Sequence, residues 1–345
     1  MTLSVVIICK NEQRFIAKCI EAALRATDDL PDREIILVDS CSVDNTIAIA
    51  SKYPVTILQL RPGWRHTPAA GRYIGTLRSC GEFIMFVDGD SHMQAGFIEK
   101  AVDVFLHQPK VAAIVGRRRE IYWKDGVIVG EEWDINRIGP QTRLVSLAPG
   151  SAIYRASALA KVGCFNPYLF ADEEAELGER LVWAGFEILA TPVDMVVHNT
   201  VPREQVSSLF RRMKNNFTLG TGQVIRYRVS AGFSARAFLR REARLLQFLA
   251  WLGAGGVALG MAALINHWGL ALAWGMVSAL LLLGFIVKSQ SIVKPFKYAL
   301  IWTIQAYSII KGFLLKPNRP SDYPTDAVVL KQVNYSVMQK PKKVT

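Results

Sequence analysis

Two carboxylates one glycine apart, Asp88-Gly89-Asp90, close the uncharged run 83–87. Like charges that close repel, so either a divalent cation or a sharp, solvated turn must make the pairing tolerable. Other acidic residues sit at comparable places. Glu12 lies just past the apolar run 3–9, and Asp39 ends the run 34–39. Asp172-Glu173-Glu174 opens a helical pattern that continues to Ala184 and is capped by Gly185. An acidic first turn complements the positive end of a helix dipole, which accounts for the charge but not for its placement just before Leu177. His198, in Val196-Val-His-Asn199, follows a strand-like run, and His92 is a neighbour two residues past Asp90. Carboxylates and imidazoles at strand ends are the groups that hold cations and move protons.

The elements that must position them follow from patterning. Runs 3–9 and 34–39 are short, β-branched and unbroken, as buried parallel strands are. Between them, residues 11–26 place Phe15, Ile16, Cys19, Ile20, Ala23 and Leu24 at helical spacing. A helix from Asp44, a strand at 55–60, a helix at 68–79 and the strand 83–87 continue the alternation. Strands at 111–115 and 151–154 follow, with a hairpin flanked by Arg117, Arg118, Arg119 and Tyr122-Trp123 between them. Repeated strand–helix alternation implies a parallel sheet covered on both faces. Ligands of such sheets sit at the carboxyl ends of the strands, where Glu12, Asp39, Asp88 and Asp90 all fall.

Charge divides the chain. Residues 1–202 carry 21 Lys/Arg against 25 Asp/Glu, and residues 203–345 carry 20 against 4. An acidic front with a basic, apolar back does not fit a nucleic-acid binder, whose basic residues cluster on one recognition face. It fits a head held at an anionic lipid surface. Residues 245–265 and 270–287 contain no charge, and each approaches the roughly 20 residues that cross a bilayer. The linker Asn266-His-Trp-Gly269 lacks Lys and Arg, whereas Arg240, Arg241, Arg244, Lys288, Lys294 and Lys297 flank the outer ends. The positive-inside rule then puts both ends, and therefore the head, in the cytoplasm, and the expected localisation is the inner (cytoplasmic) membrane. Residues 298–315 read as an interfacial helix or a third span, and the basic tail around Lys340, Lys342 and Lys343 favours a cytoplasmic C-terminus. The expected domains are a head at 1–202, basic juxtamembrane helices at 203–244, a membrane hairpin at 245–287, and an interfacial helix with a basic tail at 288–345. The five cysteines show no CxxC spacing and read as free thiols of a reducing compartment. The first residues lack a basic stretch, so the chain is expected to start with its first core strand.

Four segments in order carry a family resemblance: Ser4-Val-Val-Ile-Ile-Cys-Lys-Asn-Glu12, Glu34-Ile-Ile-Leu-Val-Asp-Ser-Cys-Ser-Val-Asp-Asn-Thr46, Pro68-Ala-Ala-Gly-Arg-Tyr-Ile-Gly75 and Gly81-Glu-Phe-Ile-Met-Phe-Val-Asp-Gly-Asp90. Together they resemble the family 2 glycosyltransferases of the GT-A fold over roughly residues 3–200. Gly150-Ser-Ala-Ile-Tyr-Arg155, Val162-Gly-Cys-Phe165 and the stretch from Glu173 to Phe186 look like that family's acceptor-side segments.

The resemblance implies an α/β fold: a GT-A, Rossmann-like, mostly parallel catalytic domain followed by an α-helical membrane region. It implies an inverting, Mn2+- or Mg2+-dependent transfer of a sugar from a nucleotide-sugar, UDP-linked by expectation. The acceptor would be a lipid-linked (polyprenyl) molecule at the cytoplasmic membrane face, in exopolysaccharide or cell-envelope glycan assembly. Asp90 would be the direct metal ligand, with Asp88 near the ribose or a metal-bound water, and His198 either a further ligand or structural. Glu12 and Asp39 would accept hydrogen bonds from base and ribose, although Ser40 stands where the family often has a second acidic residue. Arg72 is either a diphosphate contact or a surface arginine. Glu174 aligns with the general base, with Asp172 and Glu173 as competing assignments. Arg211, Arg212 and Lys214 would meet phosphates of donor or acceptor, or anionic headgroups. Two alternatives accompany this reading: a polyprenyl-phosphate glycosyltransferase, whose ionised acceptor hardly requires a base, and a non-catalytic membrane scaffold. A nucleotidyltransferase or dehydrogenase is disfavoured because no GxGxxG loop follows the first strand. Gly253, Gly255 and Gly256 permit close helix packing without specifying an oligomer.

Overall fold

The structure, a computed structural model, describes residues 2–202, 206–232 and 236–335. The basic tail at 340–343 lies outside them. The chain forms two compact units, residues 1–215 with 318–345, and residues 216–317.

In the first unit, β1 (Leu3–Cys9), α1 (Ile16–Ala26), β2 (Arg33–Asp39), α2 (Thr46–Ala50), β3 (Thr56–Gln59), α3 (Pro68–Arg78) and β4 (Phe83–Asp88) follow the expected alternation. The strands β3, β2, β1 and β4 lie side by side and parallel. The register pairs Cys9 with Asp39 and Ile8 with Asp88, so three strands end together. Alternate residues feed two cores: Val6, Ile8, Val38 and Phe86 face one side, Val5, Ile7, Leu37 and Met85 the other. The first core takes in Ala69, Ala70 and Ile74 of α3. That helix lies flush on the sheet because Gly71 and Gly75 are a turn apart. A Cβ at Gly75 would come 2.2 Å from Val6 Cγ1. Thr67 caps α3 by accepting from Ala70 N at 3.0 Å, and Pro68 occupies its first turn.

Beyond β4 the sheet is mixed. The elements are β5 (Ser91–Met93), α4 (Phe97–His107), β6 (Val111–Lys124), β7 (Val127–Glu132), β8 (Arg143–Leu144), β9 (Ala152–Arg155), α5 (Ala156–Val162), α6 (Glu173–Trp183), β10 (Glu187–Thr200) and α7 (Val206–Lys214). β9 inserts antiparallel between β4 and β6, and β10 runs parallel to β6. The strand expected at 111–115 thus continues through the arginine run to Lys124, where it pairs with β7.

The second unit holds α8 (Gly220–Ser230), α9 (Arg236–Arg241), α10 (Ala243–Ile265), α11 (Gly269–Ser289) and α12 (Val293–Leu314). Helices α10 and α11 are long and apolar enough to cross a membrane, with mean hydropathies of 2.0 and 2.4. They pair through Trp274, whose ring covers Gly255 and whose Nε1 donates to Trp251 O at 3.1 Å. Gly253 and Gly256, also expected to favour close packing, face open space. Helices α8 and α12 approach through Gly222 and Gly312, whose missing side chains let backbone meet backbone.

The stretch 288–345, expected as one region, divides at Pro317. Residues from Asn318 return to the first unit. There β11 (Val328–Lys331) adds an antiparallel strand to the edge of β3, and the Tyr335 hydroxyl bonds the backbone of Ile35.

Candidate active site

The shared ends of β1, β2 and β4 form a polar floor. Asn11 and Cys41, the residues just past β1 and β2, are in the left-handed region (φ 58° and 59°). The two turns lace together, with Asn11 N donating to Ser42 Oγ at 2.8 Å and Val43 N to Asn11 Oδ1 at 2.9 Å. Asp39 is fully buried and accepts from Ser42 N and Gln59 Nε2, both at 2.9 Å, so its carboxylate serves its own loop. Gly89 lets the end of β4 press on β1: a Cβ there would come 2.8 Å from Cys9 Cβ and 3.2 Å from Glu12 Cγ. Glu12 therefore shares the floor with Asp88 and Asp90. Burial, then the charges of Asp90 and Asp88, push its carboxyl up to about 8.

Arg72 projects from α3 into this floor and is buried, not on the surface. Its Nη2 donates to Asp88 Oδ1 and its Nη1 to Glu173 Oε1, each at 2.7 Å, while Glu174 Oε1 lies 3.8 Å from Nη1. One guanidinium thus spans the carboxylate ending β4 and two that open α6. Burial alone would lower the Arg72 pKa, but Asp88, Glu174 and Glu173 hold it above its ordinary value. Burial raises both the Glu173 and Glu174 carboxyls despite that neighbour. The two glutamates differ in access: the side chain of Glu173 is 4% exposed and that of Glu174 23%. Asp172 starts α6 in the left-handed region (φ 64°), and its carbonyl accepts from Glu176 N. Gly150 closes on the cluster, where a Cβ would lie 3.0 Å from both Arg72 Nη2 and Asp88 Oδ2.

Removing a buried charge's partner strands the rest. Arg72→Met should therefore lower stability at neutral pH by about 3–5 kcal/mol, measured by urea denaturation in detergent. Without the guanidinium, the raised carboxyls bind more protons folded than unfolded. The deficit should shrink as pH falls from neutrality towards the ordinary carboxylate range.

Asp90 faces a second cluster. His198 Nε2 lies 3.2 Å from Asp90 Oδ2, and His198 Nδ1 lies 2.8 Å from Glu120 Oε2. Residues 198 and 120 are register partners across β10 and β6. Burial alone would lower the imidazole, but hydrogen bonds to Asp90 and Glu120 push it up to about 10. Asn199 donates through N and Nδ2 to Asp90 O at 3.0 and 2.9 Å. Glu120 and Asn199 were not singled out from sequence. The neighbouring arginines hid the first, and its pairing with His198 depends on strand register.

Among the described residues no three His, Cys, Asp or Glu side chains converge as a ready ligand set. Asp90 and His198 nevertheless suit a divalent cation that draws its other ligands from phosphate and water, as Mg2+ commonly does. Burial first, and then the charges of Asp90 and Asp88, raise the Glu12 carboxyl, and a cation here would offset the second cause. Oδ1 of Asp88 is already held by Arg72. A cation would compete with the proton on His198 Nε2.

Arg211, Arg212 and Lys214 lie on α7, with Arg211, Arg212 and Lys214 exposed. His92 is half-buried in β5, and burial with neighbouring Lys18, Arg25 and Arg119 lowers it to about 4, so it stays neutral.

Residues 4–161 match the family model "Glycosyl transferase family 2". The chain is 24% identical over 194 residues to O-antigen chain rhamnosyltransferase WbaN of Salmonella anatum, covering 51% of this chain and 60% of that protein. It is 22% identical over 229 residues to glycosyltransferase AglE of Haloferax volcanii, covering 64% of this chain and 73% of that one. The crystal structure of S. aureus TarS 1–349 superposes with a TM-score of 0.50 at 16% identity, covering 69% of this chain and 68% of that one. That likeness shows the GT-A fold. The match spans about 60% of WbaN's own length.

Proposed function

We propose, from the match of residues 4–161 to the family 2 glycosyltransferase model, that this chain transfers a sugar from a nucleotide-sugar, with UDP as nucleotide, to a lipid-linked acceptor with inversion. One observation carries the reading: Arg72 joins Asp88, at the expected donor side, to Glu173 and Glu174 at the expected acceptor side. Donor and acceptor groups then meet across one guanidinium.

Glu12 and Asp39 flank the nucleoside end of the cleft. Asp39 shapes its loop through Ser42 and Gln59, so its contact with the nucleoside passes through that loop or requires it to open. Asp90 and His198 would hold Mn2+ or Mg2+. When bound, such a cation supplies positive charge against a departing diphosphate. Glu120 keeps His198 turned towards Asp90. Arg72 neutralises Asp88 and Glu173 without contacting the diphosphate itself. Glu174, the more exposed of the pair, accepts the acceptor hydroxyl's proton as the oxygen attacks the anomeric carbon and the sugar–phosphate bond breaks. Asp172 fixes the turn that aims it.

The length and apolarity of α10 and α11 support a hairpin crossing the inner membrane, with the catalytic head on the cytoplasmic side and α12 as an interfacial helix. Exposed cations on α7 suit anionic headgroups or the acceptor's phosphates. This would keep the cleft near a substrate whose isoprenoid stays in the bilayer.

A thermal-shift panel of nucleotide sugars, with Mn2+ or Mg2+, on the full chain in detergent tests the donor. Stabilisation by UDP-sugars that requires the cation is expected. No shift with any nucleotide sugar would contradict the proposal and favour a non-catalytic scaffold.

A further inference from the structure

Far from the cleft in sequence, Tyr323 sits in the segment that follows the second unit and is 2% exposed. Its ring meets Trp64, Tyr73 and Tyr168 edge-on, with centroids 5.6, 6.0 and 5.5 Å away. Its hydroxyl donates to Arg65 O at 2.7 Å. These partners come from three places. Trp64 and Arg65 lie in the loop that leads into α3, Tyr73 on α3 itself, and Tyr168 in the loop that leads into α6.

Those two loops also bond each other: Arg65 Nη1 donates to Tyr168 O, and Thr67 Oγ1 to Pro167 O, both at 2.9 Å. Each ends in a helix that delivers part of the acidic cluster. Helix α3 carries Arg72, one residue before Tyr73, and α6 opens with Glu173 and Glu174. The Arg72–Glu173 contact of 2.7 Å spans the two helices. Edge-to-face aromatic pairs stabilise beyond their area and have angular preference, so three of them on one ring constrain both loops at once. The segment itself is anchored just past Tyr323. Arg61 Nε donates to Asp326 O at 2.8 Å, and β11 pairs with β3.

The geometry points to Tyr323 as a positioning residue: docked by the returning C-terminal segment, it pins the loops before α3 and α6 together. It thereby holds Glu174 in register with Asp88. It touches no reacting atom. The inference rests on the proposed transfer for its kinetic arm only, since loop order is measurable without turnover.

The test uses the full chain in detergent with Tyr323→Ala and Tyr323→Phe. Hydrogen exchange should rise by about tenfold or more at residues 61–67 and 165–172 together in Tyr323→Ala, with β1 and β2 unchanged. UDP affinity with Mn2+ should stay within about twofold, while kcat falls on the order of tenfold to a hundredfold. Tyr323→Phe keeps the three ring contacts and should recover most of the rate. If Tyr323→Ala does not accumulate folded, Tyr323→Leu is judged by the same measures. Unchanged exchange in both loops would overturn the inference. So would a rise spread evenly over the first unit, or equal losses of UDP affinity and kcat, which would make Tyr323 an ordinary core residue. Absence of UDP binding in the unsubstituted chain would count against the transferase reading and leave the exchange arm decisive for Tyr323.

Discussion

Asp90→Ala should lower transfer on the order of a thousandfold and remove cation-dependent binding of the donor. Its carboxylate is the group of the Asp88-Gly89-Asp90 turn that faces His198, whereas Oδ1 of Asp88 is taken by Arg72. Removing it leaves His198 with Glu120 alone. That pair still favours a protonated ring, which repels a cation. Isothermal titration of UDP with and without Mn2+, beside steady-state rates, separates binding from chemistry. Near-normal turnover in Asp90→Ala would refute the role given to this residue. His198→Ala should show a milder version of the same loss, because one carboxylate survives.

Glu174→Gln should slow transfer by about 10²–10⁴-fold while leaving donor affinity intact. The substitution keeps size and hydrogen bonding but abolishes proton acceptance. Burial holds the Glu174 carboxyl above its usual range, so the base is lost by protonation as pH falls. The wild-type rate should therefore drop on the acid side through that raised pKa, and Glu174→Gln should lack this limb. Glu173→Gln should act differently, weakening the Arg72 bridge and with it stability. If Glu174→Gln barely slows transfer, the acceptor is already ionised, as a polyprenyl phosphate is. If donor binding collapses as well, Glu174 contacts the donor.

Some of this was legible in the chain and some was not, for definite reasons. β1, β2 and β4 are buried on both faces, so their apolar runs announce strands without needing partners. The acidic residues at their ends follow from that alone. Arg72 was ambiguous because a helix arginine looks the same facing water or facing three carboxylates. Only the close seat of Gly71 and Gly75 on β1 turns it inward. Glu120 and His198 are 78 residues apart and meet through a parallel pairing with three register shifts, which no local pattern encodes. The apolar pattern of β6 stops at its arginines because the strand leaves the covered part of the sheet there and pairs with the exposed β7. The return of residues 318–335 was missed for a related reason. β11 is short and half exposed, and Tyr323 finds Arg65 across 258 residues of sequence.

The central claim is that a cation-dependent nucleotide site at Asp90 stands opposite a proton acceptor at Glu174. A structure of the full chain soaked with Mn2+ and UDP tests it most directly, through the anomalous signal of manganese. One manganese peak is expected beside Asp90 and His198, in contact with the diphosphate, with Glu174 open to the cleft across from it. A diphosphate bound elsewhere, or bound here with no metal peak while Asp90 stays on protonated His198, would contradict it.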